Sequence, residues 1–258
     1  MTADRHQRLL AWLNERGYLS VGEIAPAFGV TAMTVWRDLR VLAELGLLRR
    51  VRGGARALGV AAEAGFERKE VEARPRKEAI AAEAVRAFVR EGTVIVLEGG
   101  TTVAAMLPHL PEERVSLLTN SLPVAHQARL LRPRLPLRLI GGWMSPVSGN
   151  LTGAEALREI ARLRADLCFL GASAFDAELG PTDPNPLEIE VKRAFSAISR
   201  RTILLLDAGK FGHRAAAVTL HPRRINDLVT DAPPPDDVRA RLRAHGVRLH
   251  VAVGDEGF

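Results

Sequence analysis

Two sets of side chains in this sequence could carry chemistry, and they lie far apart along it. The first is cationic: Arg37 and Arg40, followed shortly by Arg49, Arg50, Arg52 and Arg56. Guanidinium groups are planar forks of donors that match phosphate oxygens and base edges. The second set is a series of short polar stretches, each directly after an apolar run: Glu98-Gly99-Gly100-Thr101-Thr102, Thr119-Asn120-Ser121, Gly141-Gly142, Gly171-Ala172-Ser173 and Asp207-Ala208-Gly209-Lys210, with Lys192 between the last two. Backbone amides, hydroxyls and ammonium groups gathered in this way suit a small, anionic, hydroxyl-rich ligand. Taken singly, each stretch could also be a tight turn, and each lysine a solvated surface charge.

The elements that must position the first set are short helices. Leu9, Leu10 and Leu13 recur at helical spacing after Asp4, and Gly17 stops that run. Ser20 is placed to cap a second helix, with Glu23 as the partner of a capping box and Val21, Ile24, Ala25 and Phe28 as its apolar stripe, ending at Gly29. Thr31 caps a third, "AMTVWRDLRVLAEL", whose apolar face is Val35, Leu39, Leu42 and Leu45. Its opposite face presents Met33, Arg37, Arg40 and Glu44, with Ala32 and Trp36 on the shoulder and Thr34 near its start. Two short β-like runs then flank Gly53-Gly54 as a hairpin wing. A helix-turn-helix with an arginine-flanked wing points to a DNA duplex; a protein-interaction module is the plainer alternative. Trp36 could stack on sugar or pack into a dimer partner.

The second set is positioned by alternating apolar runs and helical segments. The runs fall at 93–98, 115–119, 137–141, 166–172, 202–207, 227–231 and 247–253, several of them apolar throughout. Strands buried on both faces read this way, which predicts a mainly parallel sheet covered by helices, with ligands held at the carboxyl ends of its strands.

Composition sets the outer bounds. The chain has 258 residues, 47% hydrophobic and 26% charged, with a net charge of +6. Residues 1–58 hold nine arginines against five acids, and so carry four of those six charges. That asymmetry is expected where one end meets a polyanion. No apolar run approaches the ~18 residues of a membrane helix, and the start "MTADRHQRLLAW" lacks signal-peptide layout, so a cytoplasmic protein with no membrane partner is expected. Cys168 in "DLCFLGA" reads as a core side chain, and the seven histidines are scattered without ligand spacing, so no metal or cofactor is expected. Composition shifts place a DNA-binding domain at 1–58, a linker at 59–74 and an effector domain at 75–258.

The order "SVGEIAPAFGV" then "TAMTVWRDLRVLAELGLLRRVRGGA" resembles the N-terminal domain of the DeoR family of bacterial regulators of sugar metabolism. The family usually shows Thr-Ile-Arg-Arg-Asp-Leu and Arg-Val-His-Gly-Gly-Ala. Here Thr34-Val35-Trp36-Arg37-Asp38-Leu39 and Arg50-Val51-Arg52-Gly53-Gly54-Ala55 stand instead, so Trp36 replaces an arginine, which bears on the operator sequence, and Arg52 keeps a cation in the wing. The stretches at 98–102, 119–121, 141–142, 188–192 and 207–212 are similar to the family's effector domain, with Glu98 where aspartate is usual. The resemblance implies an α/β chain: a small winged helix-turn-helix followed by a three-layer α/β domain similar to ribose-5-phosphate isomerase.

It also implies a homo-oligomeric repressor of carbohydrate genes that leaves double-stranded operator DNA when a phosphorylated sugar or related metabolite binds. The DNA set is then Thr31, Met33, Thr34, Trp36, Arg37, Arg40 and the wing arginines Arg49, Arg50, Arg52 and Arg56. The effector set is Glu98, Gly99, Gly100, Thr101, Thr102, Asn120, Ser121, Gly141, Gly142, Lys192, Asp207 and Lys210. The alternative is an isomerase-like enzyme carrying a DNA-binding domain, in which Glu98, or Asp207 with Lys210, moves a proton. A DNA-binding head favours the regulator, in which those carboxylates accept hydrogen bonds from sugar hydroxyls and none is catalytic.

Overall fold

The computed structural model describes residues 5, 6, 8, 9, 12, 13, 16, 18–44, 48–56, 66, 73–111 and 114–252. The side chains of Glu44 and Arg49 lie outside that description, as do Gly17, Leu45, Gly46 and all of the expected linker 59–74 except residues 66, 73 and 74. The chain separates into two compact units, Met1–Glu63 and Ala64–Phe258.

In the first unit, residues 5, 6, 8, 9, 12, 13 and 16 are helical. They are followed by β1 (Tyr18–Ser20), α1 (Val21–Phe28), α2 (Ala32–Glu44), β2 (Arg49–Val51) and β3 (Gly54–Arg56). The capping box forms as expected: Glu23 N donates to Ser20 Oγ at 3.2 Å, and Ser20 N donates back to Glu23 Oε2 at 2.9 Å. Thr31 Oγ1 accepts from Thr34 N at 3.3 Å and so caps α2. Leu9, Leu13, Leu19, Val21, Ile24, Val35, Leu39, Leu42, Leu48 and Ala55 form one core. The wing is a sheet of three strands, β1-β3-β2, rather than the expected two. Three residues ahead of a strong helix cap carry too little alternation to be read as a strand. Gly54 is required there, because a Cβ would fall 2.1 Å from Leu19 O across the sheet.

In the second unit, α3 (Arg74–Phe88) leads into β4 (Val94–Leu97), α4 (Thr101–Ala104), β5 (Ser116–Thr119), α5 (Leu122–Leu131) and β6 (Leu137–Leu139). The hairpin β7 (Trp143–Met144) and β8 (Leu151–Thr152) precedes α6 (Ala154–Ile160) and β9 (Ala165–Leu170). Then come β10 (Ala174–Asp176), β11 (Gly180–Asp183), α7 (Pro186–Ile198), β12 (Ser199–Leu205), one 3-10 turn (Ala208–Lys210), β13 (Ala217–Val218), β14 (Asp227–Thr230), α8 (Asp236–Ala244) and β15 (Arg248–Val251). The seven apolar runs are the seven strands of one sheet, ordered β15-β14-β12-β9-β4-β5-β6, every pair parallel.

Alternate residues of these strands enter two cores. Ile95, Leu97, Leu117 and Phe169 meet α3, α4 and α5 on one face. Val96, Leu118, Cys168, Leu170 and Leu204 meet α6, α7 and α8 on the other, which makes three layers. From β4 the chain steps outward through β5 to β6, then returns to β9 on β4's other side. The crevice between the carboxyl ends of β4 and β9 is therefore the switch point where such sheets hold ligands. Helix α7 begins at Pro186, where Asn185 Oδ1 accepts from Leu187 N at 3.1 Å and caps it.

Candidate functional site

In the first unit the residues expected to meet DNA split by environment. Met33, Arg37, Arg40, Arg50, Arg52 and Arg56 are exposed, and Met33 keeps 72% of its surface. Thr31 is exposed but engaged as the cap, and Thr34 is half-buried beside it, with the two hydroxyls 3.0 Å apart. Trp36 has a setting that its sequence position did not suggest: it packs against the unit's core, and the Arg50 guanidinium sits 5.3 Å from its ring centroid. This cation–π contact joins wing to helix.

Sequence reasoning missed Asp38, on the inner side of α2. It accepts from Arg5 Nε at 2.7 Å and Arg5 Nη2 at 3.0 Å, and lies 2.9 Å from His6 Nε2. Burial opposes its ionisation, but Arg5 and His6 outweigh burial and hold the carboxyl below its ordinary value. The pair that ties the first helical segment to α2 spans more than thirty residues of sequence, too far for any local spacing signal.

In the second unit the structure gathers Glu98 and Lys192 at the switch point and adds residues that were not singled out. Glu98, only 1% exposed, lies at the end of β4 with Oε2 3.7 Å from Lys192 Nζ. Lys192 Nζ also donates to Asp183 Oδ2 at 2.8 Å and to Gly171 O, just past β9, at 2.9 Å. Asp183 further accepts from Ser173 N (2.9 Å), Ser173 Oγ (2.8 Å) and Thr219 Oγ1 (2.7 Å). Burial alone would lower the Lys192 ammonium, yet Asp183, Glu98 and Glu188 together raise it above its ordinary value. Burial likewise opposes the Asp183 carboxylate, and Lys192, Thr219 and Ser173 reverse that and hold it low. A second cluster joins the first through the β7–β8 loop. Glu188 accepts from Ser148 Oγ at 2.6 Å, Asn150 Nδ2 at 3.2 Å and Asn185 Nδ2 at 3.3 Å. Asn150 Nδ2 also donates to Gly99 O at 3.2 Å. A Cβ on Gly99 would fall 1.8 Å from Asn150 Oδ1, so glycine there lets the loop close over the strand end.

The other expected residues have settings of their own. Gly100 and Thr101 are half-buried at the start of α4, and Thr102 is buried behind them. Asn120 donates to Leu151 O at 3.0 Å, while Ser121 Oγ caps α5 by accepting from Val124 N at 3.4 Å. Asp207 Oδ1 accepts from Gly209 N at 3.2 Å and holds the 3-10 turn that carries half-buried Lys210. Gly141 N donates to Glu159 Oε2 at 3.2 Å, and Gly142 lies so close to Thr152 O that a Cβ would fall 2.4 Å from it. Both glycines follow β6, two strands from β4, as Asp207 follows β12 two strands away on the other side.

Cys168 is buried, and burial together with the charge of Glu98 pushes its thiol up, so it is a core residue and no nucleophile. Among the described residues no group of three or more His, Cys, Asp or Glu could hold a metal ion, and no helix is long and apolar enough to cross a membrane.

Comparison with known proteins matches both units. Residues 5–59 match the DeoR-like helix-turn-helix domain, and residues 72–232 match the DeoR C terminal sensor domain. The chain belongs to the DeoR family of transcriptional regulators. It is 35% identical to the HTH-type transcriptional repressor CsqR of Escherichia coli (strain K12), over 95% of this chain and 94% of that protein. It is 28% identical to the Glycerol-3-phosphate regulon repressor of the same organism, over 96% and 98%. Among solved structures, ribose 5-phosphate isomerase A from Methanocaldococcus jannaschii aligns with a TM-score of 0.38 and 20% identity, over 52% of this chain and 53% of that one. Membership of the DeoR family makes the protein a DNA-binding regulator and sets aside the isomerase alternative.

Proposed function

We propose that this DeoR-family regulator is a homo-oligomeric repressor of carbohydrate-metabolism genes, released from operator DNA when a phosphorylated sugar or related metabolite occupies the crevice between β4 and β9. The observation that carries the reading is the buried Glu98–Lys192–Asp183 cluster at the switch point. Two carboxylates flank a single ammonium there, so the inner crevice suits hydroxyl donors and repels a phosphate. The phosphate therefore lies at the rim, against the Thr101 hydroxyl, the Gly99 and Gly100 backbone and the Lys210 ammonium. In this reading Lys192 is a positioning residue that fixes Glu98, and Asn120 and Ser121 complete the wall. Asp207 holds the turn that carries Lys210, and Gly141 and Gly142 form the wall of the crevice on the β6 side.

In the first unit α2 enters the major groove with Thr34, Arg37, Arg40 and Met33 toward the bases. Thr31 and the wing arginines Arg49, Arg50, Arg52 and Arg56 lie along phosphates, and Trp36 holds Arg50 in place.

The test is fluorescence anisotropy with genomic DNA fragments selected by the full-length protein, titrated with pentose, hexose and triose phosphates and with the same sugars unphosphorylated. At least one phosphorylated compound releases the DNA while its unphosphorylated form does not. Lys210→Ala binds the DNA as wild type does and no longer responds. Release by no phosphorylated compound rejects the reading, and ordinary release by Lys210→Ala removes that lysine from the rim.

A further inference from the structure

The β7–β8 hairpin has two contrasting sides. Inward, its loop carries Ser148 and Asn150, which bind Glu188 and Gly99. Outward, it carries Trp143 and Met144, which keep 78% and 53% of their surface exposed. Neighbouring elements extend that apolar surface. Leu122 N donates to Gly149 O at 3.1 Å, which sets exposed Leu122 of α5 beside the loop and its exposed Val147. The 2.6 Å bond between Ser148 and Glu188 brings the loop to the start of α7, where Leu187 is exposed. With Leu139 at the end of β6, these side chains make a run of exposed large apolar residues of the kind that marks an interaction surface.

The surroundings select the occupant. Strand β6 is the last of its sheet and bonds β5 through groups such as Pro136 O and Ile140 N, which accept from Leu117 N and donate to Thr119 O. The backbone groups of Leu137 and Leu139 alternate with these and point outward, so an antiparallel copy of the same strand completes them about a two-fold axis. Beyond the strand, Arg138, Glu155, Arg158 and Glu159 line an open hollow of about 490 Å³ in which both signs alternate, with Arg138 on Glu159 at 2.9 Å and Arg158 on Glu155 at 3.0 Å. A surface that is apolar at its centre, has an open strand edge beside it and mixes charges at its rim is complementary to itself, as an isologous contact requires.

We infer that a second copy of this chain docks on the surface formed by Leu122, Leu139, Trp143, Met144, Val147 and Leu187, so that the hairpin is both the cover of the crevice and the self-association contact. The inference rests on the homo-oligomeric reading above and adds the surface and its link to the ligand. Full-length protein is examined by analytical ultracentrifugation at micromolar concentration, with circular dichroism to confirm folding. Wild type sediments as a dimer or larger, while Trp143→Glu and Val147→Glu reduce the mass at least twofold. Leu130→Glu, about two turns further along α5, keeps the wild-type mass. In parallel, Val147→Cys is treated with a short bis-maleimide; the native thiol, Cys168, is buried. A cross-linked dimer supports the surface, and this measurement decides if the glutamate variants unfold. A monomeric wild type rejects the oligomeric reading itself. An oligomeric wild type whose folded glutamate variants keep their mass, or a Val147→Cys protein that gives no cross-link, rejects this surface alone.

Discussion

Lys192 shows how far a residue's type predicts its role. In the sequence it is one lysine among candidates for an anionic ligand. In the fold its ammonium is directed to Gly171 O, Asp183 and Glu98, and none of the three is an anion from outside. Lys192→Met removes the cation that offsets two buried carboxylates, and losing one partner of such a cluster costs about 3–5 kcal/mol. Urea unfolding of the full chain shows that loss in the transition of the C-terminal unit, whereas Lys210→Ala, at the rim, changes stability by less than about 0.5 kcal/mol. Asp38 gives the matching prediction for the first unit. Its native carboxyl lies below the unfolded value of ~3.9, so its contribution is fully present only above about pH 5 and is lost as pH falls through the unfolded and then the native value. Thermal unfolding of Asp38→Asn and wild type from pH 7 to pH 3 therefore shows a gap that is constant near neutrality and closes in acid. A gap that widened below pH 4 would contradict the assignment.

Elements were legible wherever their signal was local. The seven strands of the large sheet are apolar runs because both their faces are covered, and that condition is written in consecutive residues. The capping box at Ser20 and the cap at Thr31 depend on residues three apart and are equally visible. Strand β1, the β7–β8 hairpin and the β10-β11-β13 sheet were not, because strands of two to four residues are too short to show an alternation of apolar and polar positions. The crevice was half legible. Glu98, Lys192 and the strand-end stretches stand out by position, but Asp183 at the end of β11, Thr219 just after β13, and Ser148 and Asn150 of the β7–β8 loop are brought together only by the fold. The loops "SGNLTG" and "GPTDPNP" held a weak signal, turn residues enclosing a single amide or acid. The wing offers a test at this scale. Gly54→Ala places a methyl against Leu19 O and must part β1 from β3, so the variant loses about 1–3 kcal/mol of stability and binds DNA weakly at every sequence. An alanine variant with unchanged melting temperature would show that the three-stranded wing is not formed in solution.

At the scale of the whole molecule the chain is a reader joined to a sensor, and two thermodynamic quantities describe the join. The first is electrostatic: if α2 and the wing neutralise four to six phosphates per subunit, log affinity falls with log salt at a slope of about −4 to −5 per subunit. Arg52→Ala, in the exposed turn of the wing, reduces that slope by about 1 without altering sequence preference. The second is linkage. An effector releases DNA only through its different affinities for the DNA-competent and DNA-incompetent states, and the coupling it exerts must be returned in full. Should a sugar phosphate weaken operator binding thirtyfold, saturating operator weakens that sugar phosphate thirtyfold, a coupling of about 2 kcal/mol. Calorimetric titration of the effector into free protein and into the protein–operator complex measures the second factor, and anisotropy measures the first. Equal factors are required if both ligands bias one equilibrium. An effector that binds the complex as tightly as the free protein cannot release the DNA through the protein, so equal affinities alongside release would mean that it acts on the duplex, and the crevice between β4 and β9 would not be its site.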